Sequence, residues 1–323
     1  MTIGIDPKID YAFKRLLASS DHTAITIHFL NAVLSEGPRI QHVELLNPFV
    51  PHEAEDGKLA ILDVRARDDA GRWLNIEMQT TAPAELPERL AFYACSLYVG
   101  QLRQGEGYGE LSPAVSICLL NRKLFAESDR FHLDFQLRSR DGAIPLTSGL
   151  QIHLIELPKY TVPERVPSDF VMTASPLEKW IWFFRYASQV SESQIAASLA
   201  DPVFNEAAGV LSMIARTPEE REDYEMRLKL ARDEESRMRG ARKEGLLEGR
   251  QEGLQEGRQE GRQEGRQEGR QEGRQEGKLI GKLQLLEQFL GRPVSSDSTL
   301  SGLPLAELEQ RVADLQAQLR NRS

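Results

Sequence analysis

The composition is that of an acidic globular protein. The chain has 323 residues, 40% of them hydrophobic, and a formal net charge of -9. This charge excludes a protein that binds nucleic acid through its overall charge, so such binding would need a local basic patch. No stretch is apolar enough to span a membrane and the N-terminal segment lacks the pattern of a signal peptide, so we expect a soluble, cytoplasmic protein with no membrane contact.

The chain divides into three predicted regions, and the first of them alternates helices and strands. Residues 1–235 have a mixed composition, residues 236–278 carry a tetrapeptide repeat, and residues 279–323 return to amphipathic spacing. The alternation in the first region predicts an α/β layered domain. In chain order we predict a helix starting at Asp6 and Pro7, a helix over 21–34, strands over 59–67 and 73–79, a helix over 88–103, strands over 114–120 and 152–157, and a helix over 177–186.

The strands over 59–67 and 73–79 are predicted to form a β-hairpin. Asp68–Arg72 between them has a turn composition. The even positions of both strands are apolar, so they define the core face, and the odd face carries Asp63, Glu77 and Gln79. Coinciding apolar faces require paired residue numbers with an even sum. The five-residue loop gives a sum of 140, which places Asp63 opposite Glu77, and other even sums make them diagonal neighbours.

Two opposed carboxylates predict a cation site on this hairpin. Opposed side chains have Cβ atoms about 4.5–5.5 Å apart. Two carboxylates at that separation repel each other unless a proton or a cation lies between them. Mg²⁺ or Mn²⁺ suits oxygen ligands of this kind, and it would activate a water molecule against a phosphodiester. The alternative is that Asp63 and Glu77 are ordinary solvated side chains on the polar face of a hairpin.

Four segments between residue 6 and about residue 160 form a recognisable set: DPKIDYAFKRLLAS, LDVRARDDAGRWLNIEMQ, ERLAFYACSLYVGQLRQGEGY and SPAVSICLL. An Asp-bearing strand, the NIEMQ strand and an R-x-x-x-Y helix resemble the PD-(D/E)XK nuclease superfamily. Within it they resemble the bacterial family of recombination-promoting nucleases and transposases. The resemblance implies a restriction-endonuclease-like α/β core, with a mixed sheet flanked by helices, followed by a C-terminal helical extension.

The resemblance also implies roles for individual residues. Asp63 and Glu77 stand at the metal-ligand positions, and the carbonyl of Met78 is a further ligand. Gln79 stands where the superfamily has a catalytic lysine, although E-x-Q is the usual form in the narrower family. Asp10 stands where such folds place an acidic residue on the first helix. An ion pair between Asp10 and Lys14, four residues apart on one helix face, is the alternative.

The helix that carries the R-x-x-x-Y pattern offers two more candidates. Arg89 and Tyr93 recur in the family and are candidates for DNA contact, with a packing role favoured for Tyr93.

The implied function is that of a metal-dependent endonuclease acting on double-stranded DNA. Its breaks would promote recombination or act in defence against mobile elements and phage. Gln79 and the acidic net charge favour an alternative, a catalytically weak or inactive nuclease fold that binds DNA or serves as a scaffold assembled through its C-terminal helices. Strand transfer by a transposase would need a different acidic triad, which this spacing does not provide.

The EGRQ repeat predicts an unusual helix or a linker. Glu244 to Lys278 holds 9 Glu against 7 Arg or Lys. Identical residues recur every four positions, so favourable pairs are absent, and each Gly costs a helix about 0.8–1.0 kcal/mol. A flexible linker is one outcome. We favour a helical spacer whose Gly stripe allows two chains to approach closely, which makes a coiled-coil-like dimer possible.

The tail is predicted to be a helical hairpin. A helix over 279–290 precedes a Gly291–Pro293 break, and a second helix begins near Pro304. This resembles a helical module that follows nuclease domains of this type, and it predicts homo-oligomers or partner binding through the C-terminal helices. The apolar face of the second helix comprises Leu303, Leu305, Leu308, Val312, Leu315 and Leu319.

Overall fold

A computed structural model describes residues 1–46, 64–161 and 170–320, together with the backbone of 49–50 and 60–61. Asp63 therefore lies outside the described residues. The chain forms two compact units, Met1–Arg237 and Met238–Ser323. The predicted division at residues 235 and 278 stays a prediction. No helix of the described part is long and apolar enough to cross a membrane.

The first unit is built on a mixed six-stranded sheet, which confirms the predicted fold class. The strand order is β1-β4-β5-β6-β8-β7, with β5, β6 and β8 parallel and the other neighbours antiparallel. The strands are β1 (Val43–Leu46), β2 (Phe49–Val50), β3 (Ala60–Ile61), β4 (Val64–Asp68), β5 (Trp73–Gln79), β6 (Ala114–Leu120), β7 (His132–Gln136) and β8 (Leu150–Glu156).

Helices cover both faces of this sheet. The helices of the first unit are α1 (Asp10–Leu17), α2 (Thr23–Val33), α3 (Leu86–Val99), α4 (Phe170–Thr173), α5 (Pro176–Tyr186), α6 (Glu192–Leu199) and α7 (Pro202–Arg216), and α8 (Pro218–Phe289) begins here and continues into the second unit.

The larger core lies on the face formed by the even positions of the hairpin. Val64, Ala66, Leu74 and Ile76 are all 1% exposed or less and pack with α1, α2, α5 and α7. An aromatic cluster around Trp180 fills this side, with the Trp180 and Phe204 ring centroids 4.7 Å apart. The even positions therefore form the core face, as predicted.

The smaller core lies under α3 on the opposite face. Leu86 and Leu90 pack against Cys118, Leu120 and Leu154 of the parallel strands β6 and β8. Because helices cover β6 from both sides, each residue of Ala114–Leu120 is buried, as the continuous apolar run predicts. The second helix layer also places α3 directly above the odd positions of β5.

Several predicted boundaries differ in the structure, among them the end of the helix predicted over 88–103, which is Val99, and two of the differences have a visible cause. The helix predicted to start at Asp6 begins at Asp10, because Asp6 closes a turn of its own: the Lys8 N–H donates to its Oδ1 at 3.0 Å. The strand predicted over 59–67 is divided. β3 pairs with β2 in a separate two-stranded sheet, and β4 begins at Val64 in the main sheet.

The second unit holds a short helical hairpin at its C-terminal end. The end of α8 packs against α9 (Asp297–Leu300) and α10 (Leu305–Arg320). Gly291 has φ +70, the left-handed conformation that ends a helix, where the break is predicted. Residues 244–278 are helical as part of α8. The buried residues of the hairpin are Ile280, Leu283, Leu286, Leu290, Leu300, Leu308, Val312 and Leu315.

Candidate active site

The β4–β5 hairpin has the predicted register. Val64 pairs with Ile76 and Arg67 with Trp73, so the paired numbers sum to 140 over the described length. Asp68 holds the turn: its carboxylate accepts from the Arg72 N–H at 2.8 Å and from the Arg72 guanidinium at 2.6 Å. The pairing of Asp63 with Glu77 lies beyond the described residues and stays a prediction.

The odd face of β5 is buried and polar. Asn75 is 0% exposed and Glu77 is 2% exposed. This face is covered because β5 lies inside the sheet and α3 packs over it, which the strand pattern alone does not reveal. The alternative of an ordinary solvated side chain is therefore wrong for Glu77. A carboxylate buried in this way requires hydrogen bonds.

Neutral side chains supply hydrogen bonds to Glu77. The Asn75 amide nitrogen donates to Glu77 Oε1 at 2.9 Å and lies 3.5 Å from Ser116 Oγ on the neighbouring strand. The Gln79 amide nitrogen lies 3.4 Å from Glu77 Oε2. The sequence pattern predicts no role for Asn75 or Ser116. The available signal was the hydroxyl of Ser116 in an otherwise apolar strand, which parallel pairing places beside Asn75.

Arg89 extends this network from the helix above. Its guanidinium Nη2 donates to the Oε1 of Gln79, and its carbon Cζ lies 5.9 Å from the centre of the Tyr93 ring. Gln79 and Arg89 are half-buried, whereas Glu77 is buried. Tyr93 packs against Leu97 and Ala114, in keeping with the packing role favoured for it.

The oxygen atoms gathered here suit a hard divalent cation. Glu77 offers a carboxylate, and Asn75 Oδ1 is buried without a hydrogen-bond partner among the described residues. Mg²⁺ and Mn²⁺ favour oxygen ligands of these kinds. The described part of the chain holds no cluster of three His, Cys, Asp or Glu side chains fit for a metal. The Met78 side chain packs in the larger core, so its predicted contribution is confined to the backbone carbonyl.

Asp10 has the ion pair that was the alternative to a catalytic role. Its carboxylate lies 2.8 Å from Lys14 Nζ and 3.8 Å from Arg227 Nε on α8. The first contact lies within α1 and the second joins α1 to α8, and neither joins Asp10 to Glu77 or Gln79. A catalytic role for Asp10 stays a prediction.

Two arginines and a tryptophan extend the odd face toward the hairpin turn. Arg65 and Arg67 approach the Trp73 ring, with their Cζ atoms 4.6 Å and 5.7 Å from its centre. Arg65 is paired with Asn75 across the hairpin, so this group lies on the same face as Glu77. Burial lowers the pKa of the Arg65 guanidinium. Arg65 and Arg67 therefore form a local basic group of the kind that an acidic chain needs for contact with nucleic acid.

The mixed sheet, its helix layers and the E-x-Q strand define a protein of the PD-(D/E)XK nuclease class. The chain matches the model of the PD-(D/E)XK nuclease family transposase over residues 7–241. It belongs to that family, and the resemblance seen in the sequence is confirmed. Membership supports a nuclease-type function and a DNA substrate. No curated protein and no solved structure matches the chain.

Proposed function

We propose that this protein is a metal-dependent endonuclease that cuts double-stranded DNA, with Mg²⁺ or Mn²⁺ held by Asp63, Glu77 and the carbonyl of Met78. Its breaks would promote recombination or act in defence against mobile elements and phage. The observation that carries the proposal is the buried Glu77 carboxylate, hydrogen-bonded to Asn75 within a chain that belongs to a nuclease family.

Burial of Glu77 is better explained by chemistry than by stability. A buried carboxylate costs free energy that an apolar side chain at the same position would not. Asn75 and Gln79 offset part of that cost and hold the carboxylate in one orientation. Functional sites are where such costly, oriented groups are expected. A divalent ion bound there would polarise the scissile phosphate and activate the attacking water.

The basic group supports DNA as the substrate. Arg65 and Arg67 lie two residues apart on one face of β4, which separates their Cα atoms by about 6.8 Å. Guanidinium groups bind phosphate through paired hydrogen bonds. A DNA strand that places one phosphate at Glu77 would therefore set neighbouring phosphates near these arginines. Binding through them should weaken as salt rises.

One observation favours the second candidate, a nuclease fold that binds DNA without cutting it. Glu77 is 2% exposed, so a phosphate reaches it only if neighbouring side chains move. A surface pocket near the hairpin turn is lined by Glu44 on β1, by His42 just before it and by turn residues such as Asp69, and not by Glu77. This candidate predicts DNA binding without turnover in any divalent ion.

Self-association through the C-terminal helices remains part of the proposal. The apolar stripe of α10 packs against the end of α8 within the chain, so Leu308 and Val312 are already covered. Leu285 and Phe289 on α8 are 54% and 73% exposed. These two side chains, one turn apart, are the better candidates for contact between copies.

Plasmid cleavage tests the proposal. Supercoiled plasmid is incubated with the full chain in Mg²⁺, Mn²⁺, Ca²⁺ or EDTA, and nicked and linear products are measured. We expect cleavage in Mg²⁺ or Mn²⁺, and loss of at least a hundredfold in Asp63→Ala and Glu77→Ala.

Glu88→Gln is the matched control, because Glu88 is an exposed carboxylate on α3. It should cleave like the wild type. Equal cleavage by the wild type and Asp63→Ala would refute the site assignment. Binding without cleavage in every metal would favour the second candidate.

A further inference from the structure

The side-chain oxygen of Asn75 has no hydrogen-bond donor within the part of the chain that the structure describes. The residue is 0% exposed, and its Oδ1 is buried without a partner there. A buried carbonyl oxygen that lacks a donor costs about 1–3 kcal/mol. An apolar side chain of similar shape would avoid this cost, so an amide at this position needs a reason other than stability.

The Glu77 carboxylate fixes which way the Asn75 amide faces. An ionised carboxylate only accepts hydrogen bonds, so the Asn75 atom that lies 2.9 Å from Glu77 Oε1 is the amide nitrogen Nδ2. The same nitrogen lies 3.5 Å from Ser116 Oγ on β6. A serine hydroxyl is able to donate to an amide oxygen, but the nitrogen and not Oδ1 faces it. Glu77 therefore sets the orientation of the amide, and the amide oxygen is left without a donor.

The Asn75 oxygen is turned to the β4 side of the odd face. β5 pairs with β6 on one side and with β4 on the other. The nitrogen and the oxygen of an amide diverge from one carbon, so a nitrogen directed to β6 leaves Oδ1 directed away from β6. The register that sums to 140 predicts Asp63 opposite Glu77 on this same side. The oxygen therefore faces the side on which the proposed function sets the divalent ion.

We propose that Asn75 Oδ1 is a further oxygen ligand of the divalent ion. It would join Asp63, Glu77 and the carbonyl of Met78, and a carbonyl oxygen is a ligand that Mg²⁺ and Mn²⁺ accept. Asn75 then serves the site with both ends of its amide, because the nitrogen orients Glu77 and the oxygen meets the ion. This inference rests on the proposed nuclease site, and it adds a ligand that the E-x-Q signature does not include.

Metal-dependent unfolding tests the ligand without any need for cleavage. The melting temperature of the full chain is followed by tryptophan fluorescence in EDTA and at rising Mn²⁺ concentrations, and the rise gives the dissociation constant. Asn75→Leu, which removes the oxygen, should weaken Mn²⁺ binding at least about tenfold. Asn31→Leu is the matched control, because both ends of the Asn31 amide bond to the backbone of Ile40. It should lower the melting temperature in EDTA and leave the Mn²⁺ dissociation constant unchanged.

A thiol at the same position separates a metal ligand from a residue that only orients Glu77. Thiolates prefer soft ions to Mg²⁺, so Asn75→Cys should raise the ratio of Cd²⁺ affinity to Mg²⁺ affinity by about a hundredfold and add a Cd–thiolate absorption band in the ultraviolet. Ser116→Cys sets a thiol on the β6 side of the amide and should leave the ratio within about threefold of the wild type. Cys95 and Cys118 are common to all three proteins, so they do not contribute to the difference.

The outcomes separate this inference from the proposed function. If the wild type binds Mn²⁺ and Asn75→Leu binds it equally well, or if Asn75→Cys gains no preference for Cd²⁺, Asn75 is not a ligand. If the wild type binds no divalent ion, this inference fails together with the metal dependence of the proposed function. Metal binding that depends on Asn75, in a protein that cleaves no DNA, would support the ligand and refute the nuclease.

Discussion

Acidification should destabilise the first unit, because His153 on β8 is held in its neutral form. The side chain is buried, with Nδ1 3.0 Å from His132 Nε2 and Nε2 4.0 Å from Asp134 Oδ1. Burial lowers the pKa of His153 from 6.5 to about 4; the Asp134 carboxylate acts in the opposite direction and His132 adds to the decrease. The pKa of His132 is lowered too, chiefly by burial.

The direction in which stability changes with pH follows from the number of protons bound by the folded and unfolded states. The unfolded chain protonates this histidine as pH falls through 6.5, whereas the folded protein resists protonation until about pH 4. The unfolded state therefore binds more protons in that window, and stability is full above pH 6.5 and falls below it. The lowered pKa of His153 contributes about 3 kcal/mol to the free energy of unfolding at neutral pH, and about 2 kcal/mol of this contribution is lost by pH 5.

Urea unfolding measures the effect against a variant that cannot titrate. The chain has 3 Trp, all in the first unit, so tryptophan fluorescence reports that unit. Acidic and basic groups that do not contact His153 affect wild type and His153→Gln alike, so the difference between them reports His153 together with its neighbours His132 and Asp134. The stability advantage of the wild type over His153→Gln should shrink by about 2 kcal/mol between pH 7.5 and pH 5. An advantage that is constant or grows on acidification would refute the reasoning.

Three further predictions concern the two units. Glu156→Gln should destabilise the first unit by about 3–5 kcal/mol in urea unfolding, because this fully buried acid pairs with Lys159 at 3.0 Å and accepts from the Leu124 N–H; a loss below about 1 kcal/mol would contradict the pairing. Leu308→Ala should cost the C-terminal hairpin about 2–5 kcal/mol, since Leu308 is 0% exposed, and hydrogen exchange of α10 should speed up accordingly; unchanged exchange would show that the hairpin does not depend on it. Gly261→Ala with Gly265→Ala should raise the thermal stability of the helical signal by about 0.8–1.0 kcal/mol per site, because an added Cβ meets nothing within 4 Å; a decrease, with loss of oligomers in sedimentation, would instead place these glycines in a contact between copies.

The β4–β5 hairpin shows how much local structure can be predicted from the sequence pattern. Alternation of apolar residues, together with a five-residue turn, was enough to predict β5, its core face and a register summing to 140. It succeeds because a strand has a side-chain period of two, so a slip of one residue would expose the whole apolar set. The continuous apolar run of β6 was equally informative. The edge strands β1 and β7 were not predicted, since one-sided burial leaves no strong pattern.

The candidate active site shows which features the alternation of apolar residues cannot predict. Alternation placed Glu77 and Gln79 on one face, but it could not tell whether that face met water or a helix. The ion pairs of Asp10 show the same limit of sequence-based prediction. The pair with Lys14, four residues along the helix, is predicted from the sequence, whereas the contact with Arg227 is not.

The sequence by itself determined the α/β class, the hairpin, the family and the strand that carries the E-x-Q pair. Each depends on local periodicity or on a short motif, and both are encoded within a few neighbouring residues. Only the tertiary structure decided that α3 covers Glu77, that Ser116 lies beside Asn75, and that Arg89 reaches Gln79 from above. Those contacts join residues 10 to 41 positions apart, and the packing of whole elements brings them together.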